Sequence, residues 1–529
     1  MRVGPSDASL RHRVIFNRRS LCASMLMTLN LVLMPLKAYI TEPFPWTPAR
    51  ELADCGSNFT ACAPTLLAFY QAAATPVSGA YYVASDVVDI YALELPTTLS
   101  PDAFEQKAPF HMLYSDAQRD YSRSISVANS TVNSNGSVAR VMFASVPALY
   151  NAAWAVRGLN TTGAYFALQR APSTTLWLCI KLAYRVALSG YILRCIWREY
   201  FVHYKHLASS LGASGLDVAP HGSRFEILVG DPTSIILLNH FVSLAFVIDV
   251  YMSPDYFVRS LQRVEQLENI PAFALASLYL SRTVWFAYGA LSCFSCVVRK
   301  KHWQDAYEDV DPSLVALAVA LTAGPLTYLQ VQIPLVSAVY NLLFTVFESS
   351  AVAIELAWSF LLYTTIMGSL PIAFAVGTRW QRVCARRLRH VTSRVHSLAD
   401  VCDHAAFATN DLKHRWTLRW SLFSWQAWCR RRDTPTVIEH VGGSVYKLFE
   451  RSRKYKRELG ISQRGADCYV LFETSENELT SVRLSLLATV DMSHLPVMTV
   501  AKYAVGRIEF RSDGTAVVVQ GRNASPWVM

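Results

Sequence analysis

Six ionisable side chains fall inside stretches that are otherwise apolar: Lys181, Arg185, His240, Asp249, Arg282 and Glu355. An ionised group in hydrocarbon is costly, so each of them needs a partner or a purpose. If these stretches are membrane-spanning helices, a rise of 1.5 Å per residue puts Lys181, Asp249 and Glu355 roughly 6 Å inside the outer boundary, Arg185 about 12 Å and Arg282 about 15 Å deep. Opposite charges then share a depth. Two chemistries fit. One is interhelical ion pairing that fixes the packing of a bundle, with Lys181 snorkelling outward. The other is a polar vestibule, built on Lys181, Arg185, Asp249, Arg282 and Glu355, that binds or conducts a solute. His240, nearer the inner face, is the residue type that titrates along such a route, although a lone histidine on a span is ordinarily hydrogen-bonded within the bundle.

Other constellations carry less. Cys293-Phe-Ser-Cys296 has redox spacing but sits in an apolar run without a strand-to-helix context, so it reads as packing, with Cys296 a palmitoylation candidate. Asp309-Val-Asp311 has the form of a divalent-metal pair, yet two acids in a short acidic loop are usually solvated, and no metal site is assigned. Walker A, His-Glu-x-x-His, Gly-x-Ser-x-Gly and Gly-x-Gly-x-x-Gly are all absent. Neither enzyme activity nor a cofactor is expected.

The elements that must hold these residues follow from composition. Of 529 residues, 52% are apolar and 17% charged, against about 25% charged in soluble proteins. Apolar windows near the ~20-residue length of a bilayer span account for the difference. The predicted fold class is a multi-pass α-helical membrane protein of about six spans, with an extracytosolic glycosylated α+β domain after the first span and a small cytosolic α+β domain at the C-terminus.

The first 20 residues are a basic cytosolic N-terminus, and residues 21–38 suit either a signal peptide cleaved after Ala38 or a retained signal anchor. Residues 41–172 then lie outside the cytosol. They hold glycosylation acceptors at Asn58, Asn129, Asn135 and Asn160, and Cys55 and Cys62 bracket the first of these, placed to close a small disulfide loop. Further spans are expected near 176–196, 233–253, 272–297, 313–330 and 351–377, each predicted inner end being basic. The segment 332–350 reads as re-entrant or interfacial, because a seventh span would put the arginine-rich tail outside.

From Thr378 to Met529 there are 24 Lys/Arg and 14 Asp/Glu, a difference of +10 that equals the net charge of the whole chain. Residues 378–432 read as basic amphipathic membrane-proximal helices. Arg382, Arg386, Arg387, Arg389 and Arg394 suit anionic inner-leaflet lipid, at about 1 kcal/mol per basic group near the surface. A heptad seam from Cys384 to Cys402 offers homo-oligomerisation, but its arginine flanks repel like copies and equally suit an acidic cytosolic protein partner. No nucleic-acid module is visible.

Residues 436–529 read as a self-contained domain: a strand near Val437–Val441, a helix with Ser444 as N-cap, strands at Cys468–Phe472, Val482–Val490, Val497–Val505, Arg507–Arg511 and Thr515–Gln520, and a hairpin turn at Ser512-Asp513-Gly514.

In plan, the chain resembles polycystin and mucolipin channels: a first span, a sizeable glycosylated domain, five further spans with a short hydrophobic segment before the last, and a cytosolic tail. The resemblance implies a six-span channel. Residues 332–350 contain no glycine-acid filter and residues 41–172 none of that family's blocks, so no residue role is carried over. Two functions follow: a receptor-like or scaffold protein working through its outer and cytosolic domains, or a six-span ion channel or transporter with a polar intramembrane path.

Overall fold

A computed structural model describes residues 12–47, 55, 58–74, 81–96, 113–126, 136–157, 161–220, 222–237, 239–307, 310, 312–329, 333–345, 350–389, 439–441, 443–457, 467–473, 479–495, 498–522 and 525–529. Asn129, Asn135, Asn160, Asp309, Asp311, Arg394, the seam beyond Arg389 and the tryptophan-rich stretch of the tail lie outside the described residues. The fold is mixed: helices long and apolar enough to cross a membrane, together with β-sheets. Three such helices occur among the described residues, Thr175–Ser214, Ile270–Lys300 and Ala357–Gln381, and a fourth arises if a pair bent by 76° counts as one.

The bundle is built from α1 (Arg18–Val32), α2 (Thr175–Ile196), α3 (Val202–Ser214), α4 (His240–Tyr251), α5 (Pro254–Arg263), α6 (Ile270–Leu280), α7 (Val284–Lys300), α8 (Pro312–Leu321), α9 (Pro334–Thr345) and α10 (Ala357–Arg389). Several joints have local causes. A π-turn at Trp197–Phe201 joins α2 to α3 without ending the helix. A second, at Thr322–Leu326, contains Pro325, which has no amide to donate and so breaks the regular ladder. The last helix begins at Ala357 rather than 351, because Ala353–Glu355 is a strand. Arg382, Arg386, Arg387 and Arg389 occupy the C-terminal end of α10.

One sheet, the insert sheet, has the order 81–83, 88–96, 161–170, 146–157, 137–143 and 353–355. It is antiparallel except for the last strand, which runs parallel to 137–143. Alternate residues of its strands feed two different cores, as a pleat requires. Tyr150, Ala152, Trp154 and Ala167 pack under the helix Phe59–Ala73, while Leu149, Ala153, Phe166 and Leu168 pack against Tyr256, Phe257 and Phe360 of the bundle. The Cys55–Cys62 disulfide is formed at the start of that helix, whose N-cap is Asn58, its side chain accepting from the Ala61 amide.

The other large sheet contains both ends of the described chain. Its order is 13–16, 224–228, 468–473, 479–486 and 527–528, with 439–441 beside 479–486. Residues 436–529 have a core of their own, built on Val445, Leu448, Ile508 and Val518, but their larger sheet is completed by strands from elsewhere in the chain. Strand 468–473 pairs with 224–228, and Val470, Phe472, Val482 and Trp527 share one core with Ile196, Tyr200, Tyr204 and Trp285. A sequence reading could not foresee this, because the two missing strands lie more than 200 residues upstream. Gly230 permits the junction: a Cβ there would sit 1.9 Å from the Asp467 carbonyl oxygen.

Local expectations for this region shift slightly. The helix runs Ser444–Arg451 with Gly443, not Ser444, at the N-cap, since the Ser444 hydroxyl is taken up by the Met529 carbonyl and the Ile508 amide. The expected strand at 497–505 shortens to Thr499–Val500, and Arg507–Phe510 pairs with Ala516–Gln520 across a turn where Gly514 has φ +83°.

Candidate functional site

Four of the predicted intramembrane groups meet in one place, and a residue not anticipated holds them together. Glu42, just past the turn Pro35–Ile40, is fully buried. Its Oε2 lies 2.8 Å from Arg185 Nη1 and 3.1 Å from Lys181 Nζ, and its Oε1 2.8 Å from Arg185 Nη2. Tyr279 OH donates to Oε1 at 2.7 Å, and Ser253 Oγ to Oε2 at 3.2 Å.

Arg185 uses its remaining donor on the second acid, Nε lying 2.7 Å from Asp249 Oδ1. Arg282 Nη2 bonds the other Asp249 oxygen. The arrangement follows from helix geometry: Lys181 and Arg185, four residues apart on α2, present one face to Asp249 on α4 and Arg282 between α6 and α7. The Arg185 guanidinium also lies 4.8 Å from the centre of the Tyr39 ring. Three cations face two carboxylates here, leaving one net positive charge in a buried site.

Glu355 is not part of this network. It ends the edge strand 353–355 of the insert sheet, where its carboxylate accepts from the amides of Ala144 at 2.8 Å, Ser145 at 2.9 Å and Ala357 at 3.1 Å. An apolar window over 351–377 conceals this, because Ala353-Ile354-Glu355-Leu356 suits a strand as well as a helix. Of the five residues expected to share one polar cluster, Glu355 is the one the structure places elsewhere, while Lys181, Arg185, Asp249 and Arg282 meet. Glu42 was missed because it stands in a Thr-Glu-Pro-Phe-Pro stretch that reads as a solvated loop.

Two further ionic sites fasten the sheets. Asp89 of the insert sheet, 1% exposed, receives Arg259 Nε at 2.9 Å, Arg259 Nη2 at 2.9 Å and Arg263 Nε and Nη2 at 3.0 Å each. Burial pushes its pKa up, but the two guanidiniums outweigh burial and hold it below the usual carboxylate range. Arg259 and Arg263 are one helical turn apart on α5, so this clamp seats α5 on the sheet. In the terminal sheet, Asp467 binds Arg483 Nε at 2.9 Å, accepts from Ser485 Oγ at 2.5 Å and from the Tyr446 hydroxyl. There burial prevails and pushes the carboxyl up to about 6, against the attraction of Arg483.

His240 contacts Ser292 Oγ at 2.6 Å through Nδ1 and Cys296 Sγ at 3.6 Å through Nε2, so it ties α4 to α7. Cys293 and Cys296 are not joined by a disulfide. Among the described residues, no cluster of His, Cys, Asp and Glu could hold a metal ion. No family model, curated protein or solved structure matches this chain.

Proposed function

We propose that the chain is a six-span membrane protein that works as a receptor-like coupler or scaffold, with its insert sheet outside the cytosol and its terminal sheet inside. What supports the spans is the surface of the bundle. Leu26, Leu29, Leu176, Ile180, Leu278, Leu317, Leu335 and Phe374 are all exposed, an apolar area too large for a water-facing monomer. Trp177 and Trp197 on α2 and its continuation, and Trp358 and Trp380 on α10, are exposed as well. At 1.5 Å per residue each pair is about 30 to 33 Å apart, the separation of the two aromatic belts of a bilayer.

One observation carries the coupling role: each sheet owns a strand continuous with a helix of the bundle. Strand 13–16 runs into α1 through Asn17, which caps the helix by accepting from Ser20 N at 2.9 Å and holds strand 224–228 through Nδ2 to Glu226 Oε1 at 2.7 Å. Strand 353–355 runs into α10 through Glu355. Displacement of either sheet therefore pulls directly on a bundle helix, and the Glu42 network ties the segment that follows α1 to α2, α4 and the α6–α7 joint. The arginines at the end of α10 meet anionic lipid headgroups, and the remainder of the basic tail offers a surface to lipid or to an acidic cytosolic partner.

The test is amide exchange in nanodiscs with and without an antibody fragment raised against the insert sheet. The coupler reading expects altered exchange in Cys468–Glu473 on binding and no ion flux in proteoliposomes. Unchanged exchange together with measurable flux would replace it with the channel reading.

A further inference from the structure

A cavity of about 330 Å³ lies between the turn Pro35–Ile40 and the joint of α6 with α7, within the size range of small-ligand sites. Its walls include Ile40, Leu275 and Leu278, which are 56%, 37% and 60% exposed on the outer surface of the bundle, and Lys37 stands at its border. Arg282 closes it from within.

That arginine is incompletely satisfied. Its side chain is 9% exposed and its Nη2 serves Asp249, but Nη1 has no hydrogen-bond acceptor, the nearest carboxylate oxygen, Glu42 Oε1, lying 3.6 Å away. A buried donor without an acceptor is destabilising, and the network behind it carries one uncompensated positive charge. A single oxyanion at Nη1 removes both defects.

We propose that this cavity binds an amphiphile from the surrounding bilayer, with one oxyanionic head, carboxylate or phosphate, on Arg282 and an apolar chain along Leu275 and Leu278. Lys37 adds a second positive charge at the entrance. The inference rests on the membrane reading above and deepens it by giving the ionic network a ligand. Arg282 Nη1, closed off in the resting structure, reaches the head group by a small turn of its side chain at the inner wall of the cavity, and the exposed leucines let the chain enter sideways from the lipid.

The experiment uses the full chain in phosphatidylcholine nanodiscs and a fatty acid carrying a photoactivatable diazirine, with adducts mapped by mass spectrometry. Saturable adducts are expected in 34–41 and 275–285, falling roughly tenfold in Arg282→Gln, the loss of one charge-assisted contact. Because Arg282 belongs to the network, Leu278→Trp provides an independent arm: it touches no ion pair, fills the cavity mouth and is expected to cut labelling by about the same factor with the melting temperature unchanged. Competition by phosphatidylglycerol identifies a phosphate-headed ligand, and competition by free palmitate alone a carboxylate. Equal labelling by an uncharged diazirine alcohol of the same length, or undiminished labelling of the Leu278→Trp protein, would overturn the proposal. Failure of the chain to enter nanodiscs would overturn the membrane reading as well, whereas inserted protein without adducts overturns this inference only.

Discussion

Arg185 and Glu42, 143 residues apart in sequence, form a two-point contact with both N···O distances at 2.8 Å, and Arg185 holds Asp249 with its third donor. One guanidinium thus joins the start of the insert domain to α2 and α4. Arginine suits the position because its planar fork can serve two carboxylates at once, which an ammonium cannot.

Removing one partner from this network strands the others. Glu42→Gln leaves Lys181, Arg185 and Arg282 sharing a single carboxylate, and a cost of about 3 to 5 kcal/mol is expected from breaking a buried pair. Thermal unfolding in nanodiscs reads it. Glu355→Gln, which keeps an acceptor oxygen for the Ala144 and Ala357 amides, is expected to cost about 1 kcal/mol and to leave the bundle intact. Equal losses for the two variants would refute the separation of Glu355 from the network.

Asp89→Asn replaces a doubly clamped carboxylate with an amide that cannot accept four charged donors. We expect faster amide exchange across α5 (Pro254–Arg263) and a loss of roughly 2 to 4 kcal/mol at the sheet contact. Exchange confined to the loop before Asp89 would show that α5 is seated by Tyr256 and Phe257 alone.

The terminal sheet is expected to weaken as pH rises. The Asp467 pKa in the folded chain, about 6, stands above its ordinary value of 3.8, so its contribution is full below pH 3.8 and lost as pH climbs through about 6. Protection of Cys468–Glu473, corrected for intrinsic exchange, should fall by about 2 kcal/mol between pH 4 and pH 7. In Asp467→Asn, which keeps the side chain neutral at every pH, that slope should vanish. A flat profile in the unmodified chain would mean that Arg483 offsets burial completely.

The Cys55–Cys62 bridge closes a short loop, with a sequence separation of 7. Replacing both cysteines by serine is expected to cost about 2 kcal/mol, read as local exchange in Phe59–Ala73. No change there would place the anchoring of that helix in Phe59, Leu66 and Tyr70 alone.

The parts legible in the sequence are those where physics is local. Apolar length marked spans near 176–196, 272–297 and 351–377, where long apolar helices run at Thr175–Ser214, Ile270–Lys300 and Ala357–Gln381, and the expense of charge in such runs singled out Lys181, Arg185, Asp249 and Arg282, which meet in one cluster. The hairpin at 507–520 was visible from its turn residues. Non-local pairing was not visible. Strand 13–16 is four residues before a helix cap, and strand 224–228 a short run after a loop, and neither announces that the two complete a sheet with 468–473. Glu42 escaped for the same reason: nothing beside it in sequence tells that it is buried, since its environment is made by α2, α4 and α6. Glu355 was misplaced because hydropathy averages over a strand and the helix that follows it.

The most direct test of the account is the sidedness of its two sheets. In sealed microsomes, Asn58 is expected to carry a glycan, shown by a glycosidase-sensitive mass shift that Asn58→Gln abolishes. A Ser512→Cys substitution in the exposed turn of the C-terminal hairpin should react with an impermeant maleimide added from the cytosolic side. A glycan at Asn58 with Cys labelling from the cytosol puts the sheets on opposite faces of the membrane, as the coupler requires. An unglycosylated Asn58 reached by protease from the same side that labels position 512 would put both sheets on one face and contradict it.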